Sequence, residues 1–489
     1  MIGAHHLPWH IASVAHASHC SCLSDTAMAF HLPFRSAVLT ALVASSVLAL
    51  PCVQAQSLTA LVEAASGYDA QWRAALAERE AAARRSDQAR APLLPQLGVG
   101  AELSRAQTRS HTDLADARHT GTTRSIAIEA SQALYRPTDR LQYAQSQRAI
   151  ALAQHQLDAA AQALIVRVAQ AYFEVLAAED TLTFVKAQKA AVQEQLAAAQ
   201  RNFEVGNATI TDTREAQARF DLIHAQEIAA ANDLEIKKLA LDQTVGIVQA
   251  RPWRLRENAE LPPLTPSSVL DWTAAAERDQ PQIQRALVAL DIARMETEKA
   301  RTGHLPTVDL TARLGQTSNP DGTPSNALGA RNRQASIGVQ LNLPLFTGFA
   351  VENRVRETVA LEEQARAQLD DVRRQVLQAT RTAFLGLQSR LSQVQALEAA
   401  QASSLSALEA NQLGYEVGVR INLDVLDAQS QLFDTRRQLA QARYDVLLTH
   451  LQLAQASGTL DMEDVRRINA LLEPRSGDAA ATAVAGDQR

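Results

Sequence analysis

The chain has 489 residues, a formal net charge of −6, 20% charged and only 4% aromatic residues. Neither a basic patch nor an acidic tail marks it for nucleic acid. The histidines after residue 55 (His111, His119, His155, His224, His304 and His450) never stand at metal-ligand spacing, and no nucleophile elbow, phosphate loop or metalloprotease helix occurs. No enzyme class, cofactor or metal is therefore indicated.

Residues 1–55 read as a secretory signal peptide, with Met28 as an alternative start. Arg35 precedes an apolar run, Ala37 to Leu50, that is too short to span a bilayer, and Val53-Gln54-Ala55 supplies small residues for cleavage. Cys20, Cys22 and Cys52 all fall before the cut, so the mature chain is expected to lack disulfides and thiol chemistry. Pro51 before Cys52 is not the small residue that lipidation wants. No later segment looks apolar for long enough to be a transmembrane helix.

A helical pattern then runs from Leu58 to about Arg90 and breaks at Leu94-Pro95. From Leu97 the period becomes two: Leu97, Val99, Ala101 and Leu103 alternate with polar residues and glycine. A polar loop is expected over Arg105 to Arg124, then a second strand carrying Ile126, Ile128, Ala130 and Leu134. Thr138 to Val205 contains neither Gly nor Pro, which predicts a helix of about 100 Å, far beyond the ordinary globular length. Gly206 interrupts it. Asn207 to Val245 is again free of Gly and Pro, and Gly246 ends it.

Residues 251–268 hold Pro252, Pro262, Pro263 and Pro266 and read as a linker. The programme then repeats over 269–460, at an offset of 211 to 212 residues from 56–250. Leu305-Pro306 matches Leu94-Pro95, and Val308, Leu310, Ala312 and Leu314 match the first strand. A loop is expected over Gln316 to Gln334, with a turn at Pro320-Asp321-Gly322. Ile337, Val339, Leu341, Leu343 and Leu345 form the fourth strand. A long helix from Phe349 to Leu413, with Gly386 as its weak point, leads to Gly418, and a last helix from Val419 ends at Gly458. Residues 461–489 are expected to be a C-terminal tail, polar and disordered from Gly477.

The two turns are the sharpest copies: Phe203-Glu204-Val205-Gly206 with Asp212, and Tyr415-Glu416-Val417-Gly418 with Asp424. The expected fold is mainly α with a β-barrel part. Four amphipathic strands suit an outer membrane, where a tilted strand needs about 9–11 residues. Four cannot close a barrel, and an open edge in lipid leaves backbone groups unsatisfied. Three copies would make twelve strands and a conduit. The long helices would then extend this barrel on one side as a hollow coiled-coil tunnel. A soluble periplasmic coiled-coil adaptor would explain the helices, but not four alternating strands at a fixed offset.

The whole mature chain resembles the TolC family of outer-membrane channel-tunnel proteins. The resemblance rests on Leu134-Tyr135 and Leu345-Phe346-Thr347-Gly348 at the strand exits and on the paired turns, 203–215 and 415–427. It implies a homotrimer in outer-membrane lipid, a tunnel closed at its periplasmic tip, and two partners: a periplasmic adaptor (membrane fusion protein) and an inner-membrane ABC transporter or other pump. Type I protein secretion is the favoured use, on the missing lipid-attachment cysteine and the Leu134-Tyr135-Arg136-Pro137 exit. A repeat toxin or haemolysin is a typical cargo, and multidrug efflux is the alternative.

Asp424 and Asp427 lie three apart near a helix start, hence on one face. A trimer would collect six such carboxylates around its axis, a ring that selects cations and binds polyvalent ones. The resemblance places the two acids at the final constriction. It gives Tyr415 and Arg420 the role of holding the closed state by bonds to neighbouring helices. Asp212, with Thr211, is the first copy's candidate for the same constriction. The alternative for Asp424, Asp427 and Asp212, with Thr211, is ordinary N-terminal helix chemistry. For Tyr415 it is packing like that of its twin Phe203, and for Arg420 a solvated charge. Gly206 and Gly418 require a left-handed backbone on either reading. Gln412 stands where the family carries a glutamate.

Overall fold

The computed structural model describes residues 56–474, apart from 113–114, 207, 258 and 324–327. The expected signal peptide, the cysteines and the tail from Gly477 lie outside the described residues. Helices α1 (Leu58–Tyr68) and α2 (Ala70–Arg90) lead to strands β1 (Gln96–Thr112) and β2 (Ala115–Tyr135). Then come α3 (Pro137–Glu204), α4 (Ile210–Val245) and a two-residue β3 (Arg254–Leu255). The second copy is α5 (Val269–Asp279), α6 (Pro281–Arg301), β4 (Thr307–Asn319), β5 (Ala330–Asn342), α7 (Ala350–Glu416) and α8 (Asn422–Ser457). The chain closes with α9 (Met462–Asn469) and β6 (Leu472–Glu473).

β1, β2, β4 and β5 form one antiparallel sheet in that order, so β1 and β5 are open edges. Alternation puts Leu97, Val99 and Leu103 on the face that also carries Ile126 and Ile128, all exposed within one protomer. Three sequence expectations need correction here. The expected loop over 316–334 is shorter, since β4 runs to Asn319 and β5 starts at Ala330, with Gln316 paired to Arg333. The polar loop over 105–124 is mostly strand: Arg105 pairs with Thr122 and the register runs unbroken to Thr112 and Ala115. Apolar periodicity is silent there because both faces of the hairpin are polar, and backbone pairing of such strands needs no apolar face. The fourth strand ends at Asn342, short of Leu343 and Leu345, since Pro344 has no N–H for the ladder.

The first helical segment is two helices, not one. The Asp69 carboxylate accepts the Trp72 amide at 2.7 Å and starts a new helix there. Its partner in the second copy is Gln280, just before Pro281, and its side chain accepts from the Gln282 amide at 3.0 Å. The 68 residues of α3 and 67 of α7 are unbroken, and Gly386 lies inside α7 without interrupting it.

One 18-residue window of α3 reaches a mean hydropathy of 1.2, so a helix of membrane-crossing length and composition does exist, contrary to the sequence expectation. Half of that window is buried inside the fold, and Val168, Tyr172 and Leu176 of α3 pack with Leu58 and Leu61 of α1, which identifies a core helix. The stretch after Gly458 is likewise more than a tail. α9 is capped by a reciprocal Asp461–Asp464 box, and β6 pairs with β3 in the proline-rich linker. Linker and C-terminal segment thus share one small sheet beside α3, whose Tyr172 hydroxyl donates to the Trp253 carbonyl at 3.0 Å.

Candidate functional site

Both long hairpins end in the same hydrogen-bond pattern. The Val205 amide bonds Arg201 O and Gly206 bonds Phe203 O; Val417 bonds Leu413 O and Gly418 bonds Tyr415 O. Gly206 and Gly418 take φ of +81° and +77°, a left-handed conformation that a side chain would strain. The following helices begin three residues later than Gly- and Pro-free spacing suggests, at Ile210 and Asn422. Asn207 lies outside the described residues.

The copies diverge at the helix start. In the first, Thr209 caps α4: its hydroxyl accepts the Asp212 amide at 3.2 Å, and the Asp212 carboxylate accepts the Thr209 amide at 2.9 Å and hydroxyl at 2.8 Å. Asp212 is therefore committed to a capping box, with Thr211 exposed beside it. In the second copy Ile421 replaces the threonine and no side chain caps α8. Asp424, the counterpart of Asp212, is released from that duty and pairs with Arg420 at 3.6 Å.

Arg420 reaches its place because Gly414 is a glycine. The Val419 and Arg420 amides both bond the Gly414 carbonyl, at 2.8 and 3.0 Å. A Cβ on Gly414 would stand 2.7 Å from Arg420 Cγ, so the arginine stem lies directly over the last turn of α7. Three contacts then tie this turn to the other hairpin. Asn202 donates to the Tyr415 hydroxyl at 3.3 Å, Gln195 donates to Asn422 Oδ1 at 2.5 Å, and Arg219 of α4 forms an ion pair with Asp427 of α8. Beneath them Leu426 is fully buried with Val192, Leu196, Ala199, Ala216 and Ile223.

The polar bonds are weak by position. Arg420 and Asp424 are 57% and 37% exposed, and Asp427 is 56% exposed, so each pair contributes roughly 0–1 kcal/mol. Val205, Val417, Val419 and Ile421 also stand more than half exposed around the turns. Asp424, Asp427, Tyr415 and Arg420 thus sit together on one turn and its helix, whereas Asp212 and Thr211 belong to the cap of the other. Gln412 is exposed. Asn202, Gln195, Arg219 and Gly414 were not legible as site residues, because their partners lie on another hairpin or six residues ahead. The available signal was the departure between copies, Asn202 against Gly414 and Thr209 against Ile421.

Comparison with known proteins agrees with this architecture. The family model for outer membrane efflux proteins matches residues 61–247 and 272–459, one match per copy, and the chain belongs to that family. It is 34% identical over 424 residues to outer membrane protein TolC of Vibrio cholerae, covering 86% of this chain and 95% of that protein. It is 31% identical over 411 residues to the alkaline protease secretion protein AprF of Pseudomonas aeruginosa, covering 82% and 84%. Among solved structures, the CmeC outer membrane channel of Campylobacter jejuni aligns at a TM-score of 0.71 and 18% identity, over 85% of this chain and 90% of that one. The protein is an outer-membrane channel with a helical periplasmic extension, of the kind that serves efflux or secretion.

Proposed function

We propose that this chain is the outer-membrane exit duct of a type I secretion system. Three copies close a twelve-stranded barrel, and protein cargo passes through it from an inner-membrane ABC transporter and a periplasmic adaptor. The observation that carries the secretion reading is the chain-long similarity to a protein named for protease secretion. Trimer closure is supported by the two open edges, β1 and β5, which leave unpaired backbone groups that lipid cannot satisfy. The second reading, drug efflux, is favoured by the family's own description. Deleting the gene in the native bacterium separates them. Loss of one large exported protein with normal drug resistance supports secretion; hypersensitivity to hydrophobic drugs with normal export overturns it in favour of efflux.

In this reading the turn around Gly418 is the periplasmic gate. Asp424 and Asp427 supply the carboxylate ring, and Arg420, Tyr415 and the Asp427–Arg219 pair hold it narrow. Asp424→Ala with Asp427→Ala is expected to lower cation selectivity in a planar bilayer and to abolish block by polyvalent cations. Unchanged selectivity removes the ring.

A further inference from the structure

We propose that the outer rim of the barrel carries a built arginine belt for the phosphates of the outer-leaflet glycolipid, lipid A. The inference rests on the outer-membrane barrel reading and goes beyond it.

Directly opposed residues of antiparallel strands share a face, as do residues two apart. Followed away from the helices, the apolar face ends at Leu103 on β1, Ile126 on β2, Leu314 on β4 and Ala335 on β5. This boundary steps toward the helices from β1 to β2 and from β2 to β4, and stays level from β4 to β5. Leu103 pairs with Arg124, Ile126 with Gln316 and Leu314 with Ala335. A stepped edge is what a flat membrane surface traces on strands tilted by about 35–45°. At the other end the same band is bounded by exposed aromatics at the strand exits, Tyr135 and Phe346, as at a membrane interface. Sequence and register therefore place both surfaces of the hydrocarbon layer.

The first residue beyond the outer boundary is Arg105 on β1, Arg124 on β2, Gln316 on β4 and Arg333 on β5. Arg331 follows on β5. Further out on the projecting hairpin, Arg109 and Arg118 stand directly opposite one another, an arrangement that destabilises a sheet unless an anion lies between the charges. All six are exposed, and none is ion-paired among the described residues. Among the described residues Arg333 donates to Gln316, at 3.2 Å. The nearby Asp321 carboxylate accepts the Thr122 amide at 2.9 Å and feels the charge of Arg105 without forming an ion pair with it. On the opposite face of the same sheet, by contrast, Arg313 has a carboxylate partner, Glu129 at 3.0 Å. Unpaired guanidinium groups, set one register step above an apolar band, suit a lipid whose acyl chains lie on the band and whose phosphates sit at its edge. Guanidinium binds phosphate through two parallel hydrogen bonds, which selects it over a diffuse anion.

The full chain, purified in detergent, is incubated with bisphosphorylated lipid A, dephosphorylated lipid A of the same acyl chains, or phosphatidylglycerol, and retained lipid is counted by native mass spectrometry. Selective retention of the bisphosphorylated lipid is expected. Arg105→Gln with Arg124→Gln and Arg333→Gln should reduce it on the order of tenfold or more, while Arg313→Gln on the opposite face should not. Channel conductance in a planar bilayer verifies that each variant is folded. Equal retention by wild type and triple variant overturns the proposal, and so does equal binding of the three lipids by wild type, an arm that needs no variant. A chain released from membranes by salt rather than detergent overturns the barrel reading itself, independently of any lipid result.

Discussion

Two positions set the contacts of the second turn apart from those of the first. Thr209 keeps Asp212 as a helix cap, whereas Ile421 leaves its counterpart Asp424 with Arg420. Thr209→Ala should cost about 1 kcal/mol in helix capping, read by thermal unfolding, with selectivity unchanged because Asp212 is outside the proposed ring. Gly414 is the second position. An alanine there raises helix propensity by up to about 1 kcal/mol but displaces the Arg420 stem from 2.7 Å. Gly414→Ala should therefore leave the melting temperature unchanged or higher while increasing single-channel open time. A lower melting temperature with unaltered gating would show that the glycine serves packing alone.

At the scale of elements, the first hairpin outruns its neighbours. Pairing of β2 with β4 stops at Arg124 and Ser318, while β1 and β2 continue to Thr112 and Ala115. Replacing residues 107–120 by a two-residue turn should keep a detergent-extractable channel of normal conductance, since β4 does not pair with them and the bond of His119 to the Gly322 carbonyl, at 3.3 Å, is long. This extension was invisible to a period-two search, which detects one buried face and not pairing in water. The α8–α9 junction carries a pH dependence. Burial holds the His450 imidazole below its ordinary value of 6.5, opposed by Asp464 and reinforced by Arg467, and its Nδ1 has no hydrogen-bond partner. The unfolded chain thus binds the proton more readily, so the contribution to stability is full above pH 6.5 and is lost as pH falls below it. Melting between pH 7.5 and 5 should show this loss, and His450→Gln should flatten it.

For the whole molecule, the open edges β1 and β5 require neighbours in lipid. Sedimentation of the detergent-solubilised protein should give a mass of three chains; a monomer would remove both barrel and gate as proposed. The duplication, the strand faces, the two long helices and the paired glycine turns were all readable along the chain. The duplication is a self-match at a fixed offset, and the rest follow from local periodicity or from where Gly and Pro fall, all properties that the linear sequence expresses by itself. Tertiary structure decided the rest. It joined the linker to β6, drew Arg219, Gln195 and Asn202 to the second turn, and aligned arginines from three strands above one apolar edge. Residues far apart in sequence meet only through packing and register, and no local pattern encodes which partner a neighbouring hairpin will supply.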